Sequence, residues 1–489
     1  DGHAPDPDEQ ERSESEQTSS LNTTNNKDIL QLVTISDNQM KKAVEDMLEL
    51  PDGMKHKIET LETFSIEELR LIPAINLRDF NGTYVVRRAF HIGHGIESNR
   101  TYRMKGYTIP DPKTQSAVHI ITEATPVHDN IETFAIDEKI HARLREKFTP
   151  VGTVQDHIYG IADWLSRNVT KIKQRPDLHI AVDLVFHSVL SFEFNKEDVS
   201  KGWMELLVLG DTRCGKGYVA ERLSTFFRMG EVVTGENCTF AGLVRGLQQM
   251  GDRWIITWGK VPLNDKRLVI IDEASAMSTA DIGRMSRVRS EGVAEITKIQ
   301  SEKTRARTRL IWLTNARSGR PIKTYNNGVE AILELVGAVE DVSRFDIALT
   351  VASSEVPSRI INAAATEQSD EDLYSSDDFS HLVLWAWSRK PEQIRFTQKA
   401  TDLVLELAIS MGRRYSSTIP LVQAENVRIK LAKIACAVAA RCFSSDESGE
   451  QLIIKTQHVQ FAHDFLVSLY CKPSMGYDAF SRNDMDRSN

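Results

Sequence analysis

Gly210-Asp211-Thr212-Arg213-Cys214-Gly215-Lys216-Gly217 has the spacing GxxxxGK. The chemistry this spacing serves is phosphate binding. Glycines let backbone N–H groups curl around phosphate oxygens, and a helix starting behind the loop adds a favourable dipole. Lys216 would reach the β and γ phosphates, with Tyr218 next in the helix. The position after the lysine ordinarily carries Ser or Thr, whose hydroxyl binds Mg²⁺. Here it is Gly217, which has no oxygen to offer. Taken alone, the segment also fits a strand–helix turn with no nucleotide.

A second segment favours the phosphate reading. Leu268-Val269-Ile270-Ile271-Asp272-Glu273 runs four apolar residues into two carboxylates. The C-terminal end of a buried strand is where ligands bind in open α/β sheets. There Asp272 would hold Mg²⁺ through water and Glu273 would polarise an attacking water. Two acids side by side without a metal would repel each other. Further on, Trp312-Leu313-Thr314-Asn315 ends a third apolar run in an amide. Asn315 could orient the water or contact the γ-phosphate; alone, it would be a strand-end cap.

These residues need a parallel sheet to bring three strand ends together. Glu205–Leu209, Leu268–Ile271 and Leu310–Leu313 read as buried strands, and Tyr218–Phe227 as the helix after the loop. The fold class is therefore α/β. Residues 135–205 and 379–470 read as helical, with an Ala-rich periodic run from Asn426 to Arg441. Upstream, residues 28–78 show helical periodicity, and 83–90, 102–107 and 117–121 read as short antiparallel strands, as in a partly open OB-type barrel. Tyr102 and Tyr107, beside Arg103 and Lys105, either stack bases or belong to an ordinary β core with a basic outer face.

The 489 residues allow two to four domains. No apolar run suggests a membrane span, and no signal peptide is visible, so a cytoplasmic protein is expected. Five cysteines (Cys214, Cys238, Cys436, Cys442, Cys471) form no CxxC pair, against a disulfide framework or a cysteine-rich zinc site. Residues 1–27 carry seven acidic residues against Arg12 and Lys27 and read as disordered. Ser369–Asp378 reads as a solvated loop and the stretch from Gly476 as a polar tail.

At this point the ordered motifs resemble the MCM (minichromosome maintenance) branch of the AAA+ ATPases, hexameric replicative helicases. The resemblance covers roughly residues 200–470. Thr234-Gly235-Glu236-Asn237 through Ala241-Gly242-Leu243 is similar to the segment after the family's first helix. Arg253-Trp254 with Thr257–Leu263 resembles its hairpin insert, and Arg305-Ala306-Arg307-Thr308 the end of its presensor hairpin. Ser343-Arg344-Phe345-Asp346 matches its arginine-finger motif, and Val427-Arg428 resembles the segment carrying its second sensor arginine. The resemblance implies that Lys216, Asp272, Glu273 and Asn315 serve one subunit's ATP and Mg²⁺, while Arg344 and Arg428 reach a neighbour's. A homo-oligomeric ring, a hexamer in the family, follows from that. The implied organisation is a disordered leader (1–27), an N-terminal helical and OB-like collar (28–150), an AAA+ core (151–350), a helical lid (351–475) and a tail (476–489). Gly217, the bulky Arg213-Cys214 and the missing zinc element look like a diverged bacteriophage or mobile-element member.

The net charge is −9, yet Arg284–Lys323 holds eleven basic residues against three acidic ones. The presensor hairpin falls in this run. The resemblance assigns DNA-backbone contact to Lys298, with Lys303, Arg305 and, in the other hairpin, Lys260 as further candidates. Six copies would make a positive channel gripping single-stranded or forked DNA without reading sequence; a solvated basic face is the plainer alternative. The expected function is an ATP-driven DNA helicase acting in replication. The rivals are an AAA+ remodelling motor that does not act on DNA, and a non-hydrolysing nucleotide-gated DNA-binding ring.

Overall fold

The computed structural model describes residues 66–73, 86–97, 99–110, 116–127, 130–250, 253–297, 301–357 and 373–488. The acidic leader and Lys298 lie outside them. Apart from 78–83, the chain divides into one compact unit ending at Val127 and another running from His128.

In the first unit, β1 (Ile66–Leu71), β2 (Arg87–Ile92), β3 (Tyr102–Pro110) and β4 (Ala117–Pro126) pair in the order β1-β2-β4-β3. The expectation of an antiparallel unit is corrected at one pair: β4 inserts between its predecessors and runs parallel to β2. Residues 66–71, read as helical, are a strand. Alternation along β3 puts Arg103 and Lys105 out and leaves Tyr102 and Tyr107 half-buried. Tyr102 accepts the Glu97 N–H through its hydroxyl, and Lys105 pairs with Glu123 at 2.8 Å. The tyrosines are thus not exposed beside the cations.

The second unit opens with α1 (Glu138–Phe148), α2 (Val154–Leu165) and α3 (Pro176–Phe186). Phe148 is fully buried, stacked on Tyr374 and edge-on to Phe379, with the Arg441 guanidinium over its ring. Burial of such a side chain contributes about 2–3 kcal/mol, which ties α1 to this unit. The boundary expected at 150 therefore lies near 128. A small hairpin, β5 (Phe192–Phe194) and β6 (Glu197–Val199), leads to β7 (Glu205–Gly210). Then follow α4 (Lys216–Phe227), β8 (Glu231–Thr234), the hairpin β9 (Arg245–Met250) and β10 (Arg253–Trp258), and β11 (Leu268–Asp272). A second hairpin, β12 (Val293–Thr297) and β13 (Ser301–Arg305), precedes β14 (Arg309–Thr314) and β15 (Ile347–Val351).

The central sheet has the order β15-β7-β14-β11-β8, and every pair is parallel. Strands covered on both faces must be apolar throughout. Accordingly β7, β14 and β15 are buried at every position. Arg309 is tolerated there because its guanidinium donates to the Ser188 and Lys266 carbonyls.

The remaining helices are α5 (Ser376–Ser388), α6 (Gln398–Arg414), α7 (Val427–Arg441), α8 (Thr456–Tyr470) and α9 (Tyr477–Ser488). The alanines of α7 let α6 and α8 pack closely on it. Two expectations are corrected here. Ser375 caps α5 and Asp378 is buried against Arg143, so the end of the expected solvated loop is structured. The expected tail is α9, anchored by buried Tyr477 stacked on Tyr415 and by the Arg414–Asp478 ion pair. Among the described residues no helix is long and apolar enough to cross a membrane.

Candidate functional site

The loop between β7 and α4 curls because Arg213 and Gly215 take left-handed backbone angles, at φ 61° and 84°. Gly215 supplies that geometry without strain; Arg213 does so at a cost. Asp211 braces the loop. Its Oδ1 accepts the Ile322 N–H, and its Oδ2 accepts both the N–H and the hydroxyl of Ser353. Burial pushes the Asp211 carboxyl up, but these hydrogen bonds outweigh it and hold it below the usual range.

Thr212, Arg213, Cys214, Gly215, Lys216, Gly217 and Tyr218 line a cavity of about 340 Å³ with Asp272, Glu273, Thr314 and Asn315. All three strand-end motifs expected to act together therefore meet. Lys216 donates to the Gly210 and Asp211 carbonyls at 2.9 and 2.7 Å and to Asn315 Oδ1 at 2.9 Å. Burial lowers its ammonium's pKa, against the opposing charges of Cys214, Asp272 and Asp211. Tyr218 stands half-exposed at the rim, with Arg222 over its ring.

The acid pair fits a divalent cation. Asp272 Oδ1 accepts the Glu273 N–H at 2.9 Å, and Oδ2 faces Gly217. A Cβ at residue 217 would lie 2.9 Å from Oδ2, so a side chain there would require the Asp272 carboxylate to shift. Among the described residues no three His, Cys, Asp or Glu side chains gather as a metal cage. Phosphate oxygens and water would have to complete the coordination, as is usual for Mg²⁺. Glu273 sits at φ 54°, a strained angle for a non-glycine residue. Its carboxyl is raised chiefly by the charge of Glu236, with lesser contributions from its slight burial, a hydrogen bond to Glu236 and Asp272. Glu236 was not identified as functional from sequence; no spacing rule marks it, and it joins the acids only because the 235–237 turn packs on the end of β11.

Neither Arg344 nor Arg428 lines this cavity. Arg344 donates to Asp341 Oδ1 at 3.0 Å and to the Ser286 hydroxyl. Arg428, in the first turn of α7, pairs with Glu197 at 2.9 Å. Behind Arg344 lies a buried ionic network that sequence reasoning missed. Arg289 bridges Asp341 and Glu205. Asp346 accepts the Glu205 N–H and the Lys433 ammonium. Burial raises the Asp346 carboxyl, but Lys433, Lys201 and Lys430 together bring it below its ordinary value. Lys201 and Lys430 fall to about 8, chiefly through burial.

The basic run is not one face. Arg289 and Arg309 are buried, Arg307 forms a two-pronged pair with Asp265, and Arg317 donates to the Glu334, Ser275 and Leu335 carbonyls. Lys303 and Arg305 are exposed on one face of β13, with Lys303 3.2 Å from Glu295. Lys298, the residue expected to touch DNA, lies outside the described residues. The hairpin placement of Lys260 is corrected: β10 ends at Trp258, and Lys260 opens a short helix with its ammonium 2.5 Å from Glu231.

Residues 147–359 match the family model described as the MCM P-loop domain. No curated protein matches the chain.

Proposed function

We propose that this MCM-type AAA+ protein is an ATP- and Mg²⁺-dependent DNA helicase that works as a homo-oligomeric ring. The observation that carries the reading is a division of parts. Lys216, Asn315, Asp272 and Glu273 share one cavity, while Arg344 and Arg428 are held outside it. Within one subunit, Lys216 would grip phosphate, Asp272 would hold the metal that neutralises developing charge, and Glu273 with Asn315 would orient and polarise the attacking water. Arg213 lines the cavity from the loop itself, but neither Arg344 nor Arg428 does; a neighbour's Arg344 would supply the finger, which is worth roughly 10³–10⁵ in rate. A hexamer is the family's ring. Hairpin β12–β13, with exposed Lys303 and Arg305, would face DNA in the ring, the helices after residue 373 would act as a lid, and the N-terminal sheet as a collar. Replication is the process such a motor serves.

ATP turnover with and without forked DNA tests this. The expected result is DNA-stimulated hydrolysis, abolished by Lys216→Ala and by Arg344→Ala and restored when the two variants are mixed in one ring. Normal turnover of Arg344→Ala alone would overturn the shared site. The internal pairing of Arg289, Arg307 and Arg309 favours a second reading, a remodelling motor indifferent to DNA; forked duplexes left paired by an active ATPase would establish it.

A further inference from the structure

We propose that Arg289, acting through Asp341, is a positioning residue for Arg344, fixing the finger arginine to the two strands that end at the phosphate loop and at Asn315. This rests on reading Arg344 as the group supplied to a neighbour's nucleotide, and it adds two residues to that role.

Arg344 is held from two sides. Its Nε donates to Asp341 Oδ1 at 3.0 Å and its Nη2 to the Ser286 hydroxyl, while Nη1 has no hydrogen-bond partner among the described residues. The same Oδ1 accepts Arg289 Nη1 at 3.1 Å, and the Asp341 carbonyl accepts Arg289 Nη2 at 3.2 Å. Arg289 Nε donates to Glu205 Oε1 at 2.6 Å. Ser286 and Arg289 lie three residues apart on the short helix Ser286–Glu291, so one helix face meets the finger segment at both points.

Arg289 is only 1% exposed, and its guanidinium lies over two rings, 5.2 Å from the Trp312 centroid and 4.7 Å from that of Phe345. Glu205 begins β7, which runs into the phosphate loop; Trp312 lies in β14, just ahead of Asn315; Phe345 follows Arg344. One cation therefore joins both strands that carry nucleotide groups to the segment that carries the finger. A charge is a poor filler for such a place. An apolar side chain of similar volume often serves stability as well as a buried ion pair, because leaving water costs the ions much of what their attraction returns. Apolar packing lets neighbours slide, whereas a planar guanidinium with several N–H donors holds its partners at set angles. Through Arg289 and Asp341, Arg344 keeps a fixed place relative to the strands behind Lys216 and Asn315, with Nη1 left for the neighbour's phosphate.

Mixed rings of the full chain test this by ATP turnover. A Lys216→Ala subunit keeps its finger but cannot grip ATP; an Arg344→Ala subunit keeps its ATP site but has no finger. Arg289→Met is added to one or the other. In the finger-donating Lys216→Ala subunit it should lower the hydrolysis restored by mixing about 10–100-fold, the loss expected when a reacting group is misplaced by about 1 Å. In the Arg344→Ala subunit it should leave that hydrolysis unchanged, because the finger there is already gone. Asp341→Asn, which keeps the volume but removes the charge between the two guanidinium groups, should show the same asymmetry. Undiminished hydrolysis with Arg289→Met in the finger-donating subunit would overturn the inference. So would an equal loss in both arrangements, which is what damage to the fold alone gives. Failure of the plain Lys216→Ala and Arg344→Ala mixture to hydrolyse ATP would overturn the shared site, and this inference with it.

Discussion

Lys433 of α7 donates a 2.5 Å hydrogen bond to Asp346, two residues beyond Arg344. Asp346 in turn accepts the backbone N–H of Glu205, the first residue of the strand leading into the phosphate loop. One buried carboxylate thus joins the segment carrying Arg344, the loop's strand and the helix carrying Arg428. Removing Lys433 takes away the ammonium in contact with Asp346 and leaves its buried charge to Lys201, Lys430 and the Glu205 N–H; breaking a buried pair in this way costs up to about 3–5 kcal/mol. Lys433→Met should therefore lower the denaturant midpoint strongly. Arg428→Ala, which breaks the half-exposed pair with Glu197, should cost at most about 1 kcal/mol. Equal midpoints for the two variants would refute this ranking.

Acid should destabilise the fold through two histidines. Burial pushes His157 down to about 4 and His458 to about 3. His458 Nδ1 accepts the Lys455 N–H, which requires an unprotonated nitrogen at that position. Both values lie below the ordinary 6.5, so the unfolded chain binds these protons first. Their contribution is fully present above about pH 6.5 and declines as pH falls, by roughly 1.4 kcal/mol per unit for each group, until His157 protonates near 4 and His458 near 3. Urea titrations at pH 7, 6 and 5 measure it. His458→Gln should flatten the slope, and an unchanged slope in that variant would refute the assignment.

Asp211 should matter more for the loop than for the fold. Asp211→Ala removes three hydrogen bonds, from the Ile322 N–H and from the Ser353 N–H and hydroxyl. The stability loss should be about 1–3 kcal/mol, accompanied by weaker ADP binding in calorimetry. An unchanged nucleotide Kd would show that the loop holds its shape without the brace.

Basic residues that are neighbours in sequence should behave differently. Lys303→Ala and Arg305→Ala should leave the melting temperature within about 1 °C, because both side chains are exposed. If they meet DNA phosphates, each should weaken binding on all sequences and reduce the salt slope by about 0.7–0.9 for every phosphate no longer neutralised. Arg309→Met should instead disrupt the fold, since the arginine's donors satisfy the Ser188 and Lys266 carbonyls. Burial brings that guanidinium down to about 9. Titrations at several salt concentrations, with melts alongside, separate the two classes.

That contrast explains what was legible in the sequence. The apolar runs of β7, β11 and β14 announced a buried parallel sheet because both faces demand the same residue type, and the glycine loop, acid pair and Asn315 followed from their places at the strand ends. The basic run misled because a count of charges cannot tell which arginines turn inward to Asp265, Glu205 or a carbonyl. Strand 66–71 was hidden by Glu and Leu, which suit a helix as well as an exposed strand. Helix α9 was hidden because Tyr477 and an ion pair hold it, rather than an apolar stripe. Glu236 and Lys433 gain their meaning from tertiary approach alone.

The three oxygens around Lys216 have a calorimetric consequence. The Lys216 ammonium has the Gly210, Asp211 and Asn315 oxygens around it. An arriving phosphate does not meet a bare cation; it competes with ligands the protein has supplied. Filling the loop is a ligand exchange at nitrogen, and the heat it releases measures the difference between two cages rather than the strength of either.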